Sequence, residues 1–228
     1  MKIKKKILLC CRNECEYSNK LISFLKKKNI DLKIFFSKRY KEKIPKILTK
    51  TNYDLILSFR SYLILNKKIL NNCKIAVNFH PSLPKYRGVG GANYAIINKD
   101  KNFGSTAHII DDKIDYGRII DVKKFKINKN IKLKDLINKT HKNMLLQAMK
   151  LFKDILLNED KLLKKINKCK IKWSKNYGDV KKLNDFYTLK IDIDKSFFKK
   201  YINATVFNKF IPKVEINGVK FSLIDKKN

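Results

Sequence analysis

Four short, nearly continuous apolar runs recur along the first third of the chain: within residues 2–11, at IDLKIFF (30–36), at DLILSF (54–59) and at CKIAVNF (73–79). Short continuous apolar runs suit strands covered on both faces. Between the first two lies CEYSNKLISFLKKK (15–28), whose Leu21, Ile22, Phe24 and Leu25 recur at helical spacing. Strands separated by amphipathic helices predict a parallel sheet of the βαβ kind, because parallel neighbours need a crossover between them. The fold class expected is α/β, a Rossmann-like, mostly parallel sheet with helices on both faces.

Further along, ANYAIIN reads as a helix, GSTAHII (104–110) as a strand, and RIIDVKKFKI (118–127) as its antiparallel mate across a turn holding Asp111, Asp112 and Asp115. From Leu133 to Leu156 apolar residues recur at helical spacing, which predicts one long packed helix whose methionines are core. KIKWSKNYGDVKKLNDFYTL reads as polar loop. The closing KVEINGVKFSLI is a hairpin whose Asn217-Gly218 pair supplies the left-handed residues of a type I′ turn. The expected division is therefore a domain over 1–169 and a short C-terminal extension with a β-hairpin over 170–228.

The 228 residues carry 54 Lys and Arg against 20 Asp and Glu. A surplus of 34 positive charges ordinarily points to a polyanion. Here the excess is mostly lysine spread along the whole chain and interleaved with Ile and Asn, which reads as compositional drift more than as a nucleic-acid footprint. The same field would draw in an anionic small ligand. A hydrophobic fraction of 44% excludes a disordered chain. Five cysteines, at 10, 11, 15, 73 and 169, are odd in number and lack zinc spacing, so they read as small core residues and no metal is expected. No segment approaches the roughly 18 apolar residues of a membrane span, and the basic start lacks a cleavage pattern. A cytoplasmic protein with no membrane partner is expected.

One stretch concentrates chemistry: VNFHPSLPKYRGVGG, Val77 to Gly91. Residues i and i+2 of a strand point to the same side, so Asn78 and His80 would aim an amide and an imidazole into one crevice at the carboxyl end of their strand. Open parallel sheets place their ligands at that end. Pro81 biases His80 toward extended backbone, and Pro84 stiffens the loop behind it. Read without further context, the pair could equally be a capping amide and a hydrogen-bonded histidine.

NFHPSLPKYRG followed by GSTAHIIDDKIDYGRII resembles the signature of the folate-dependent formyltransferases, a family that includes sugar N-formyltransferases, methionyl-tRNA formyltransferase and glycinamide ribonucleotide transformylase. The resemblance covers roughly residues 1–130. It implies that Asn78, His80 and Asp115 are catalytic and that 10-formyltetrahydrofolate is the cosubstrate. A formyl group would pass from a folate nitrogen to an amine through a tetrahedral state whose oxygen becomes negative. An amide N–H such as that of Asn78 could donate to that oxygen, His80 could take the amine's proton, and Asp115 could orient the imidazole. Asp111 and Asp112 are rival carboxylates that fall before the matching turn position, while His108 reads as a packed core residue and His141 as a solvent-facing or helix-packing one.

The resemblance further implies that folate is held by backbone groups of Ser61, Tyr62, Leu63 and Leu65 and of Asp111, Asp112, Lys113 and Ile114. For Leu63 and Leu65 ordinary core packing is an equal alternative. Tyr86, Arg87, Asn93 and Tyr94 could meet the acceptor. The first loop, CRNECEYSN, has no glycine to wrap a phosphate, which disfavours glycinamide ribonucleotide. The short C-terminal part matches the layout of sugar N-formyltransferases, with a nucleotide-linked amino sugar as acceptor. Methionyl-tRNA formyltransferase, with tRNA as partner, is the runner-up, and a basic nucleic-acid-binding or noncatalytic relative stands outside the class. Oligomer formation is left open.

Overall fold

The computed structural model describes residues 4–39, 42–189, 193–207 and 211–223. The strands are β1 (Lys6–Arg12), β2 (Asp31–Ser37), β3 (Tyr53–Phe59), β4 (Cys73–His80), β5 (Arg87–Gly88), β6 (Asn102–Ile109), β7 (Ile119–Lys126), β8 (Tyr177–Gly178), β9 (Thr188–Leu189), β10 (Lys213–Ile216) and β11 (Val219–Ser222). The helices are α1 (Glu16–Lys26), α2 (Lys46–Thr49), α3 (Lys67–Leu70), α4 (Gly91–Ile97), α5 (Leu133–Leu151), α6 (Glu159–Lys168), α7 (Val180–Phe186) and α8 (Lys195–Thr205). A π-helical turn, Phe152–Leu156, continues α5. The expected start of the first strand before Lys4 and the last residue of the closing hairpin, Ile224, lie outside the described residues.

The main sheet has the order β2-β1-β3-β4-β6-β7. Its first four strands are parallel, and β6 runs antiparallel to β4. The mostly parallel α/β architecture read from the apolar runs is the one observed.

Cα–Cβ alternation explains why those runs need cover on both sides. Ile7, Leu9, Cys11, Leu55, Leu57, Phe59, Val77 and Phe79 pack against Leu21, Ile22 and Leu25 of α1 and against Met144, Leu145, Ala148 and Leu151 of α5. The alternate residues Leu8, Cys10, Ile56 and Ala76 join Leu48 of α2, Ile69 of α3, Leu63 and Leu65 in a second cluster. Each fully buried Leu, Ile or Phe contributes about 2–3 kcal/mol relative to exposure. Helix starts are set locally by side-chain caps. Asn66, Asn158, Asp179 and Asp194 each accept a backbone N–H of the first turn, and so does the Cys15 thiol.

Two compact units divide the chain. The first takes residues up to Pro81 with Ser105–Lys123 and His141–Lys172. The second takes Ser82–Gly104, Lys124–Thr140 and the residues from Trp173 on. In the second unit, Ala95, Ile96, Phe103, Leu133, Leu136 and Ala204 form a small core. There β5 pairs with β8, and β9, β10 and β11 form a three-stranded sheet. The β10–β11 hairpin turns on Asn217 and Gly218 at φ 49° and 79°, the left-handed pair its sequence called for. The stretch read as polar loop is more ordered than expected: it forms β8, α7 and β9. Asp179 caps α7 by accepting the Lys182 N–H at 2.7 Å, and a capped seven-residue helix carries too little apolar periodicity to show in the sequence.

Candidate active site

Asn78 is the third-last residue of β4, an interior strand, and His80 the last, so both stand at its carboxyl end. The turn after β6 brings Asp115 to them. Asp115 adopts φ 48°, a left-handed conformation that Asp tolerates better than most residues. Gly117 follows for a steric reason: a Cβ there would sit 1.9 Å from the Ile109 carbonyl oxygen. The Asp-x-Gly turn is therefore folded tightly back onto the end of β6.

The three side chains converge within the first unit. Asp115 Oδ2 lies 3.3 Å from His80 Nδ1, and Asp115 Oδ1 accepts from Asn78 Nδ2 at 3.3 Å. His80 and Asp115 are buried at 4% and 9% exposure, whereas Asn78 is half-buried and forms the accessible member of the set.

His108 belongs to the same cluster, which its sequence context did not reveal. It is as buried as a packed strand residue should be, at 2% exposure. Yet its Nε2 lies 3.1 Å from Asn78 Nδ2 and 3.4 Å from Asp115 Oδ1. Its Nδ1 is 2.7 Å from the Ile109 carbonyl oxygen, which can only accept, so Nδ1 donates there and the ring is turned with Nε2 toward the Asn78 amide. The register of β4 and β6 pairs Asn78 with His108 directly. No local pattern encodes that pairing.

The remaining expected site residues are distributed as follows. The Ser61 hydroxyl donates to Ser37 Oγ at 3.2 Å, the Tyr62 N–H to the same oxygen at 2.8 Å, and the Leu63 N–H to Ser61 Oγ at 3.0 Å. Leu63 and Leu65 are buried in the core. Asp111 accepts the Lys113 N–H at 3.0 Å, Asp112 pairs with Lys67 at 2.8 Å on the surface, Lys113 lies over the Tyr116 ring, and Ile114 is exposed.

Of the residues assigned to the acceptor, all in the second unit, the Tyr86 hydroxyl donates to Asp100 at 2.9 Å. Arg87 donates to the Ser174 carbonyl at 3.3 Å and lies over the Tyr177 ring. Asn93 is buried and donates to the Ala204 carbonyl at 2.7 Å and to the Tyr187 hydroxyl at 3.0 Å, bonds that tie α4 to α8 and to the end of α7. Tyr94 packs its half-buried ring on Phe186, and burial, followed by Asp179 and Asp185, raises its pKa.

His141 packs against Tyr17 with ring centroids 5.7 Å apart. Burial first, then the positive charges of Arg60 and Arg12, push its pKa down to about 3. Among the described residues no group of His, Cys, Asp and Glu has the arrangement of a metal site, and no helix is long and apolar enough to cross a membrane.

Known proteins share sequence and fold with this chain. The chain is 34% identical over 100 residues to the methionyl-tRNA formyltransferase of Finegoldia magna, an alignment covering 43% of this chain and 32% of that enzyme. The chain thus matches about a third of that relative's length. Its fold is similar to that of a 4-N formyltransferase from Francisella tularensis, with a TM-score of 0.76, 23% identity and 96% of each chain covered. It is also similar to an N-formyltransferase from Helicobacter canadensis solved with folinic acid and dTDP-3-aminofucose, with a TM-score of 0.68, 21% identity, and 96% of this chain and 86% of that one covered. The family model described as Formyl transferase matches residues 10–149, which include Asn78, His80, His108 and Asp115. The chain belongs to the formyl transferase family.

Proposed function

We propose that the protein is an N-formyltransferase that moves the formyl group of 10-formyltetrahydrofolate to a primary amine, and that the amine belongs to a nucleotide-linked amino sugar. The observation that carries this reading is the convergence of Asn78, His80 and Asp115 at the carboxyl end of an interior strand. In it, residues 1–169 do the chemistry and 170–228 form an extension.

Asn78 donates an amide hydrogen to the formyl oxygen as negative charge develops there, a contact stronger in the transition state than in the ground state. Asp115 faces Nδ1 of His80, which leaves Nε2 as the nitrogen that takes the proton of the attacking amine. The carboxylate then stabilises the imidazolium. As the new N–C bond forms and the bond to the donor nitrogen breaks, that proton is available to the departing nitrogen. None of these steps uses a metal or a covalent bond to the protein.

The sugar acceptor is supported by the full-length likeness to solved N-formyltransferases, one of them holding folinic acid and an amino-sugar nucleotide. A second reading, methionyl-tRNA as acceptor, is favoured by the sequence identity to methionyl-tRNA formyltransferases. One assay separates them: purified protein with 10-formyltetrahydrofolate is offered amino-sugar nucleotides, glycinamide ribonucleotide and charged initiator tRNA. Formylation of an amino-sugar nucleotide alone is the expected result. Activity on tRNA alone transfers the assignment to the second reading. Asn78→Ala should lower turnover roughly a hundredfold to a thousandfold, the usual cost of a lost oxyanion donor. Normal rates in Asn78→Ala, His80→Ala and Asp115→Asn would end the formyltransferase reading.

A further inference from the structure

Arg12 and Arg60 occupy corresponding positions on neighbouring parallel strands. The last registered pair of β1 and β3 is Cys11 with Phe59, and each strand continues from it directly into an arginine. On the other side of β3, Phe59 pairs with Phe79, and β4 continues into His80. Arg12, Arg60 and His80 therefore each follow directly on a registered residue at the carboxyl edge of three adjacent strands.

Both guanidinium groups are partly buried against aromatic rings. That of Arg12 lies 4.0 Å from the centre of the Tyr62 ring and that of Arg60 5.8 Å from the centre of the Tyr17 ring. Ring faces hold a cation in place but do not neutralise it. Among the described residues neither arginine has a carboxylate partner. The Arg12 Nε is buried and makes no hydrogen bond. Arg60 is held at φ 53°, a left-handed conformation that is costly for a long side chain.

The surroundings answer in the same sense. Burial, with the like charge of Arg12 adding to it, lowers the pKa of Arg60 against the opposing influence of Cys15. The neighbouring His141 is kept neutral. Two positive charges without a counter-charge, in a partly desolvated place, are expensive to maintain. An oxyanion meeting the guanidinium forks offsets that cost through charge-assisted, bidentate hydrogen bonds.

We propose that Arg12 and Arg60 together form an oxyanion subsite that holds the charged group of a substrate, either a phosphate of the acceptor or the carboxylates of the donor's glutamyl tail, one to two strands from His80. The inference rests on the proposed function for the identity of that substrate. Binding itself requires no formyl transfer, so the two readings fail separately.

The test is calorimetric titration of the purified full chain, at fixed ionic strength, with inorganic pyrophosphate and separately with p-aminobenzoylglutamate. At least one probe should bind, and Arg12→Gln and Arg60→Asn should each weaken it about tenfold or more. Lys50→Gln, an exposed lysine before the amino end of β3, should leave it unchanged and so control for general attraction to anions. Loss for pyrophosphate alone identifies the acceptor's phosphate, loss for p-aminobenzoylglutamate alone the donor's tail, and loss for both a subsite open to either group. Wild-type binding of neither probe, or equal binding in all variants, overturns the proposal. Asn tolerates the left-handed backbone of position 60, and the substitution removes an unpaired charge, so the thermal midpoint of Arg60→Asn without probe should stay level or rise. If it falls well below the wild type, Arg12→Gln, which leaves the β1 backbone unchanged, decides.

Discussion

The Asn78 amide nitrogen stands 3.1 Å from Nε2 of His108, its direct partner across β4 and β6, and 3.3 Å from Asp115. His108 Nε2 and Asp115 Oδ1 lie only 3.4 Å apart, on one side of that nitrogen, so they engage one amide hydrogen between them, hold the rotamer and leave the other hydrogen to the substrate. A donor aimed in advance needs no reorganisation when charge appears on the substrate, which is where preorganised sites gain over water.

His108 is accordingly a positioning residue. His108→Ala should lower kcat by roughly tenfold to a hundredfold with little change in KM, because a displacement of about 1 Å at the reacting centre costs about that much. His108→Asn, whose amide oxygen can accept the same hydrogen, should recover part of the loss. Steady-state kinetics of the two variants check this. Equal losses in both would show that the ring only fills space.

Gly117 should resist substitution. An added methyl would meet the Ile109 backbone oxygen at 1.9 Å and its carbonyl carbon at 2.9 Å, atoms that cannot turn aside as a flexible side chain can. Gly117→Ala is expected to destabilise the protein by at least about 1–3 kcal/mol, the usual cost of overpacking. Activity should fall with it as the Asp115 turn is pushed away. A denaturant midpoint equal to that of the wild type would refute the close approach.

His141 makes stability depend on pH. Its folded pKa of about 3 lies below its ordinary value of 6.5, so between these values the unfolded chain binds a proton that the folded protein excludes. Its contribution is fully present above about pH 6.5 and is lost progressively as pH falls toward 3. Each pH unit in that window is worth up to about 1.4 kcal/mol. Urea midpoints from pH 7 to pH 4 should therefore fall less steeply in His141→Gln than in the wild type. Identical slopes would contradict a half-buried, neutral imidazole.

The cysteines of the sheet should be chemically silent. Burial pushes the Cys10 and Cys11 thiols up to about 12 and that of Cys73 up to about 11, which leaves little thiolate at mildly alkaline pH. Iodoacetamide at pH 8 should leave these three unmodified in the folded protein and label all five cysteines after denaturation, as read by peptide mass spectrometry. Labelling of Cys10 in the native protein would show that the β1 region opens.

Local patterns in the chain determined much of this molecule. Continuous apolar runs set the covered strands, helical spacing set α1 and α5, and Asn217-Gly218 set the closing turn, because each depends on residues a few positions apart. The two-residue spacing of Asn78 and His80 likewise put both on one side of a strand before any partner was known. Tertiary structure decided what those side chains meet. His108 faces Asn78 only through a strand register fixed thirty residues away in the chain, and Arg12 meets Arg60 only because β1 and β3 became neighbours. Asn93, which reads as a polar residue available to a ligand, is instead spent on the Ala204 carbonyl of a helix far along the sequence. Strand order and register follow from burying whole faces at once, a sum over distant contacts that no short stretch of sequence carries.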